Sequence, residues 1–330
     1  MKKIRFLLLL LLILLLSGCH RDTEEAGFTI GVSINGMRSP FMIGLAQGIR
    51  DRAEERGVRL IVSECNGDGQ VQVNQIMDFL IQDVDAVLVE PLDTEAFVPI
   101  IEEIDGKGIP VFCIDTSADT DAVKCWIGSD SVEMGRLAAR YIAEALKERY
   151  GEYRGKVVDL MASLTTTSGT NRTRGFTEEL EKYPDIEIVA RQNGNLQLDK
   201  AQDVMIDILQ ANPLIDAVWC SGDTNAQGAL QAMRRSDRLF AAGEEGHIIL
   251  VSADGAPESL KAIRDGYLDA CISQNPIGMG RVAVDMIIEY WEDGTLPEEK
   301  FYPYPLFTIT ADNIDSEEFR EYGIWAEEIR

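Results

Sequence analysis

Short apolar runs that each close on a polar residue recur along this chain, and they restrict its fold more than any other feature. Ile109 to Ile114 closes on Asp115 and Thr116, Ala86 to Val89 on Glu90, and Ala217 to Cys220 on Ser221, Gly222 and Asp223. Arg59 to Glu64, Val157 to Ser163, Ile248 to Asp254 and Ala270 to Gln274 repeat the pattern. Near-continuous apolar runs of this length are what strands buried on both faces of a parallel sheet look like. Stretches of helical length separate them, so strand and helix alternate, as in a doubly wound α/β sheet. Ligands of such sheets bind beyond the carboxyl ends of the strands. The closing polar residues are therefore the place to look for function.

The alternation runs twice. One set begins at Phe28 and reaches a helix ending at Tyr150; after Gly151-Glu152-Tyr153-Arg154-Gly155 a second set begins with the strand from Val157. The expected fold class is α/β, with two doubly wound parallel-sheet lobes. Near the end come an apolar helix, Met279 to Trp291, and a strand near Phe307-Thr308-Ile309, with Tyr302-Pro303-Tyr304-Pro305 read as a rigid connector.

The first residues belong to neither lobe. Lys2, Lys3 and Arg5 precede an unbroken apolar run from Phe6 to Leu16, followed by Ser17-Gly18-Cys19. A membrane-spanning helix wants about 20 apolar residues, so this shorter run reads as a signal peptide over 1–18. Leu16-Ser17-Gly18-Cys19 resembles a bacterial lipobox, which implies lipidation of Cys19 and a tether over 19–26 that holds the protein to a membrane. Several acyl chains on one residue anchor stably, where a single chain does not.

Charge and residue types exclude several activities. The formal net charge of −25 becomes about −28 once Lys2, Lys3 and Arg5 are removed, and such a balance argues against nucleic acid as a partner. The two histidines, His20 and His247, form no metal-ligand spacing and no triad, so neither a metal site nor a cofactor is expected. No G-x-G-x-x-G follows the first strand and no G-x-S-x-G elbow occurs, which leaves an enzyme unsupported. Besides Cys19 there are five cysteines, of which Cys113, Cys125, Cys220 and Cys271 sit inside expected buried strands and Cys65 just past the end of one, where they read as small apolar residues.

Seven pieces then follow one another in order: Ser39-Pro40-Phe41-Met42, Asp115 after its strand, Ile127-Gly128-Ser129-Asp130 with Gly135, Asn171-Arg172 with Gly175-Phe176, Ser221-Gly222-Asp223 with Gly228, Val251 to Asp254 with Gly255, and Gln274-Asn275-Pro276 with Gly278. Together they resemble the ribose- and galactose-type sugar-binding proteins of the type 1 periplasmic binding protein fold, over essentially the whole mature chain. The resemblance implies two lobes joined by a three-crossing hinge, 27–129 with 275–305 and 130–274 with 306–330, closing over a ligand. Carried over by position, sugar contacts fall on Ser39, Phe41, Met42, Asp115, Thr116, Arg172, Leu196, Gly222, Asp254 and Gln274. It also implies a monomer that delivers a small polar solute, a sugar, to the permease subunits of an ABC importer. A sensor presenting the solute to a membrane kinase or chemoreceptor is the alternative. The related lactose repressor type of regulator would carry a helix-turn-helix where this chain has a signal and tether.

The chain departs from the ribose pattern at four of these positions. Thr116 stands where an arginine is expected, Gly222 where an asparagine is, and Met42 and Leu196 where aromatics are. Glu90 and Asp223, also at strand ends, join the candidate site. Four carboxylates, Glu90, Asp115, Asp223 and Asp254, against Arg172 would suit a cationic or amino-bearing solute.

Overall fold

The computed structural model describes residues 27–317, 319 and 323–327. The expected signal peptide, lipidated Cys19 and tether lie outside them. Two six-stranded sheets carry the fold. The first contains β1 (Thr29–Ile34), β2 (Arg59–Glu64), β3 (Ala86–Val89), β4 (Val111–Ile114), β5 (Val123–Ser129) and β11 (Phe301–Tyr304), in the order β11-β5-β4-β3-β1-β2. The second contains β6 (Gly155–Met161), β7 (Ile186–Asn193), β8 (Ala217–Cys220), β9 (Ile249–Asp254), β10 (Ala270–Gln274) and β12 (Leu306–Thr310), in the order β12-β10-β9-β8-β6-β7. Each core therefore reads 2-1-3-4-5, the doubly wound order in which the winding direction reverses beside the first strand. All pairings are parallel except β10 with β12.

Helices cover both faces. The first sheet is packed by α1 (Pro40–Arg56), α2 (Gly69–Ile81), α3 (Val98–Gly106) and α9 (Pro276–Asp293). The second is packed by α4 (Ser131–Tyr150), α5 (Thr167–Leu180), α6 (Leu198–Ala211), α7 (Asp223–Arg235) and α8 (Pro257–Arg264). Ser39 starts α1, its hydroxyl accepting from the Met42 N–H ahead of Pro40 in the first turn, and Gly57 ends it in a left-handed conformation. The chain passes between the sheets after Ser129, after Gln274 and between Tyr304 and Leu306.

Tyr302-Pro303-Tyr304 is an edge strand, not only a connector. Pro303 pairs in parallel register with Gly128 at the rim of the first sheet, where a residue without an N–H costs no ladder bond to a further strand. α5 begins at Thr167, within the polar stretch Ser163 to Thr170, because Thr166 caps it by accepting from the Gly169 N–H. Cys65, Cys113, Cys125, Cys220 and Cys271 are all buried free thiols. Among the described residues no helix is long and apolar enough to cross a membrane.

Candidate functional site

The winding order marks one point on each sheet. In the first, β1 and β3 are neighbours but their connections leave in opposite directions, which opens a crevice at their carboxyl ends. Glu90 follows β3 there and accepts the Asn35 N–H on Oε2 at 2.8 Å, joining the ends of both strands. Gln72 of α2 donates to the Glu90 carbonyl at 2.8 Å and so holds the turn. Asp115 ends the adjacent β4, with φ at +60°, while Trp126 donates its indole N–H to the Asp115 carbonyl at 3.1 Å. Asp tolerates the left-handed region better than most residues, and the indole beneath fixes the turn.

The second sheet presents its strand ends opposite. Asp254, with φ at +93°, ends β9 and is held by several side chains. Arg172 Nη2 lies 3.0 Å from its Oδ1, Gln274 Nε2 donates to the same oxygen at 2.8 Å, and Trp325 Nε1 donates to its backbone carbonyl at 2.9 Å. Arg172 Nη1 also donates to the Ser221 carbonyl at 2.8 Å. Arg172 is aimed by its helix. Gly135 in α4 and Gly175 in α5 let the two helices touch backbone to backbone, since a Cβ at Gly135 would strike the Arg172 carbonyl and one at Gly175 the Val132 carbonyl.

Two of the departures from the ribose pattern prove to be one. Leu196 fills the space a side chain at Gly222 would need, with Asp254 Oδ2 3.3 Å from the same point. Leu196 holds a left-handed φ of +52° and remains exposed, an apolar surface beside Asp254 and Arg172. Small residue 222 and aliphatic residue 196 therefore go together.

Some candidates lie elsewhere in their bonding. Asp223 directs its carboxylate inward, accepting from Ser252 Oγ at 2.7 Å, from Ser259 Oγ and from the Ala256 N–H just ahead of α8. That network ties α7, β9 and α8 together and leaves little of Asp223 for a ligand. Ser39 spends its hydroxyl on the cap of α1, and Met42 is buried in the first lobe's core. Phe41 packs against the cores of both lobes. Thr116, buried, points its hydroxyl to Ser168 Oγ at 3.3 Å.

That last contact belongs to a set between the lobes which sequence reasoning missed. Thr94 and Thr167 hydroxyls meet at 2.8 Å, the Thr167 N–H donates to Thr94 Oγ1 at 3.1 Å, and the Thr94 N–H donates to the Thr165 carbonyl at 3.3 Å. Ser168 and Arg172 are four residues apart on α5 and so share a face. The available signal was the density of hydroxyls from Ser163 to Thr170.

Burial and crowding shape the ionisation of the site. Glu90 is pushed up to about 8, first by burial and then by the Asp115 carboxylate. Asp115 is raised to about 6 by burial, with Arg172 opposing the rise and Asp254 adding to it. Asp115 thus senses the charges of the opposite lobe across the cleft. A separate recess of about 1040 Å³ lies at the opposite end of the second lobe, around Tyr150, Asp216, His247 and Asp269 at the amino ends of β8 to β10. His247 and Asp269 pair within it, and it lies at the amino ends of the strands, away from the carboxyl ends where ligands of such sheets bind, so the cleft is the candidate site.

Two α/β lobes with polar residues from both converging on the cleft between them define a two-lobed solute-binding protein. The family model described as "Periplasmic binding protein domain" matches residues 30–295. The chain belongs to that family, whose members are substrate-binding proteins and not enzymes. The ribose import binding protein RbsB of Bacillus subtilis (strain 168) is 30% identical over 295 residues, covering 86% of this chain and 92% of the relative. The crystal structure of a galactofuranose-binding protein superposes with a TM-score of 0.80 at 26% identity, covering 89% of this chain and 98% of the other. The fructose-binding periplasmic domain of the hybrid two-component system BT1754 gives 0.79 at 26% identity, covering 89% of this chain and 94% of that one.

Proposed function

We propose that this protein is a lipid-anchored extracytoplasmic receptor that captures a sugar or a related small polar solute between its lobes and delivers it to the permease subunits of an ABC importer. The observation that carries the reading is the meeting of Asp115 from one lobe with the Arg172–Asp254 pair from the other. Carboxylates accept from several hydroxyls at once, and the Arg172 and Gln274 nitrogens donate to hydroxyl oxygens. Such groups recognise a polyol and make no bonds. The import role draws on the ribose import relative, the anchor on the lipobox at Cys19.

Closure is the working motion. The lobes, 27–129 with 275–305 and 130–274 with 306–330, rotate about the three crossings, and the protein acts as a monomer. Ser39, Phe41, Met42, Thr116, Leu196 and Gly222 form the walls of the closed site. A second reading, a sensor feeding a membrane kinase, is favoured by the likeness to the fructose-binding domain of a two-component system.

The test is a thermal-shift screen of protein beginning at residue 27 against monosaccharides, cyclitols, amino sugars and nucleosides. A bound solute raises the melting temperature by mass action, and Asp115→Asn or Asp254→Asn removes the rise. The absence of any stabilising polar solute would sink the receptor reading. Labelling of cells with radioactive fatty acid checks the anchor, which Cys19→Ser abolishes. Uptake of the identified solute in a strain lacking the protein separates importer from sensor.

A further inference from the structure

We infer that the cleft is built for a polyol that carries a cationic nitrogen, an amino sugar or amino-cyclitol, with the nitrogen seated between Glu90 and Asp115. The inference rests on the receptor reading above and narrows its solute class.

Counting the carboxylates by what each already holds leads to this solute. Asp223 is occupied by Ser252, Ser259 and the Ala256 N–H. Asp254 is neutralised by Arg172 and further held by Gln274. Arg172 is the cation of the site, and both its terminal nitrogens are engaged, one by Asp254 and one by the Ser221 carbonyl. What remains is the pair on the adjacent strands β3 and β4. Glu90 is 8% exposed and receives one backbone N–H, from Asn35. Among the described residues no side chain donates to the Asp115 carboxylate.

Two acids on neighbouring strand ends, Glu90 buried with one neutral donor and Asp115 half-buried with no side-chain donor, are costly when both are ionised. Burial and then the Asp115 carboxylate raise Glu90, while burial and Asp254 raise Asp115 against the opposing pull of Arg172. A neutral polyol would relieve none of it and would be served as well by amides. A protonated amine supplies the missing charge and up to three donors. Across the cleft, Arg172 is 4% exposed and its Nε has no protein partner, a donor suited to a hydroxyl oxygen. The two sides together ask for hydroxyls at one end and a cation at the other.

Matched pairs of probes test this: D-glucosamine against D-glucose, D-galactosamine against D-galactose, and an amino-inositol against myo-inositol, by calorimetry at pH 7 on protein beginning at residue 27. The expected result is that in at least one pair the amine binds tenfold or more tighter than its neutral partner. Binding should also release protons, seen as a difference in heat between buffers of unlike ionisation enthalpy, because the amine drives the acid pair to ionise. Glu90→Gln, checked as folded by circular dichroism, should lose the amine preference, so that the amine and its neutral partner bind alike, and should abolish the proton release. Equal or tighter binding of the neutral member in every pair that binds overturns the inference and leaves the receptor reading standing. If no probe here and no solute in the wider screen binds, both fall together.

Discussion

The Thr94 and Thr167 hydroxyls lie 2.8 Å apart and join the turn after β3 in one lobe to the start of α5 in the other. With Thr116 and Ser168 they form a small clasp at the mouth of the cleft. Thr94→Ala removes the acceptor of the Thr167 N–H as well as the hydroxyl pair, while the Thr94 backbone bonds to Thr165 and Asp119 remain. Losing one or two such bonds costs the closed form about 1–2 kcal/mol. Ligand dissociation measured by stopped flow should therefore quicken by roughly 5- to 30-fold, while the melting temperature of the empty protein stays within a degree or two. A large fall in that melting temperature would mean that the clasp holds the fold and not the closure.

The acids of the cleft make stability depend on pH in an unusual direction. Glu90 stands at about 8 in the folded protein against an ordinary 4.5, so the folded state holds a proton that the unfolded chain releases. Stability from such a group is full below the unfolded value and is lost as pH rises through the folded one. For the empty protein, melting temperature should decline between about pH 5 and pH 8, and Glu90→Gln should flatten the decline. Calorimetric scans across that range decide it, and identical slopes in both proteins would reject the assignment.

His247 follows the same sign for a different reason. Its Nδ1 faces the Phe240 carbonyl at 2.8 Å and its Nε2 faces Asp269 at 3.0 Å, two acceptors that a doubly protonated ring satisfies. Burial on its own would lower the imidazole, yet Asp269 and the Phe240 carbonyl together carry it above its ordinary value. The bridge from the 236–248 loop to the start of β10 is therefore complete below about 6.5 and weakens as pH climbs through the raised value. Protein beginning at residue 27 has His247 as its sole histidine. A proton NMR titration of that ring should give a midpoint above 6.5, and a midpoint below it would contradict the bridge.

Gly222 and Leu196 should behave as a coupled pair. Gly222→Ala drives a methyl into Leu196, an exposed side chain able to shift in part, for a cost of about 1 kcal/mol. Leu196→Ala clears that space, so the double variant should regain most of the loss, a departure from additivity typical of residues in contact. Denaturant titration of the four proteins measures it, and strictly additive effects would show that the two do not share the space.

Much of this is legible in the sequence. The buried strands announced themselves because residues such as Val87, Phe112 and Val218 are apolar on both faces, and Glu90, Asp115 and Asp254 stood out as the acids that close them. Asp223 looked equivalent in sequence, but its hydroxyl partners, Ser252 and Ser259, lie 29 and 36 residues away and nothing local reveals them. The start of α5 was hidden because Thr167 and Ser168 are ordinary turn residues, and the cap at Thr166 becomes visible only as geometry. Pro303 argued for a connector by its chemistry alone, and only its place at a sheet rim explains why a strand tolerates it. The clasp is a relation between two lobes, with Thr94 and Thr167 separated by 73 residues.

Trp325 sits where lobe angle and site geometry meet. Its indole N–H holds the carbonyl of Asp254, while its ring edge comes within 3.2 Å of where a side chain on Gly44 in α1 would begin, in the opposite lobe. A tilt of one lobe against the other therefore pulls a lever whose short arm is the backbone of a ligand-facing acid. With Trp126, Trp219 and Trp291 replaced, the same ring would serve as an optical gauge whose fluorescence should follow the hinge and the loading of the cleft without a label.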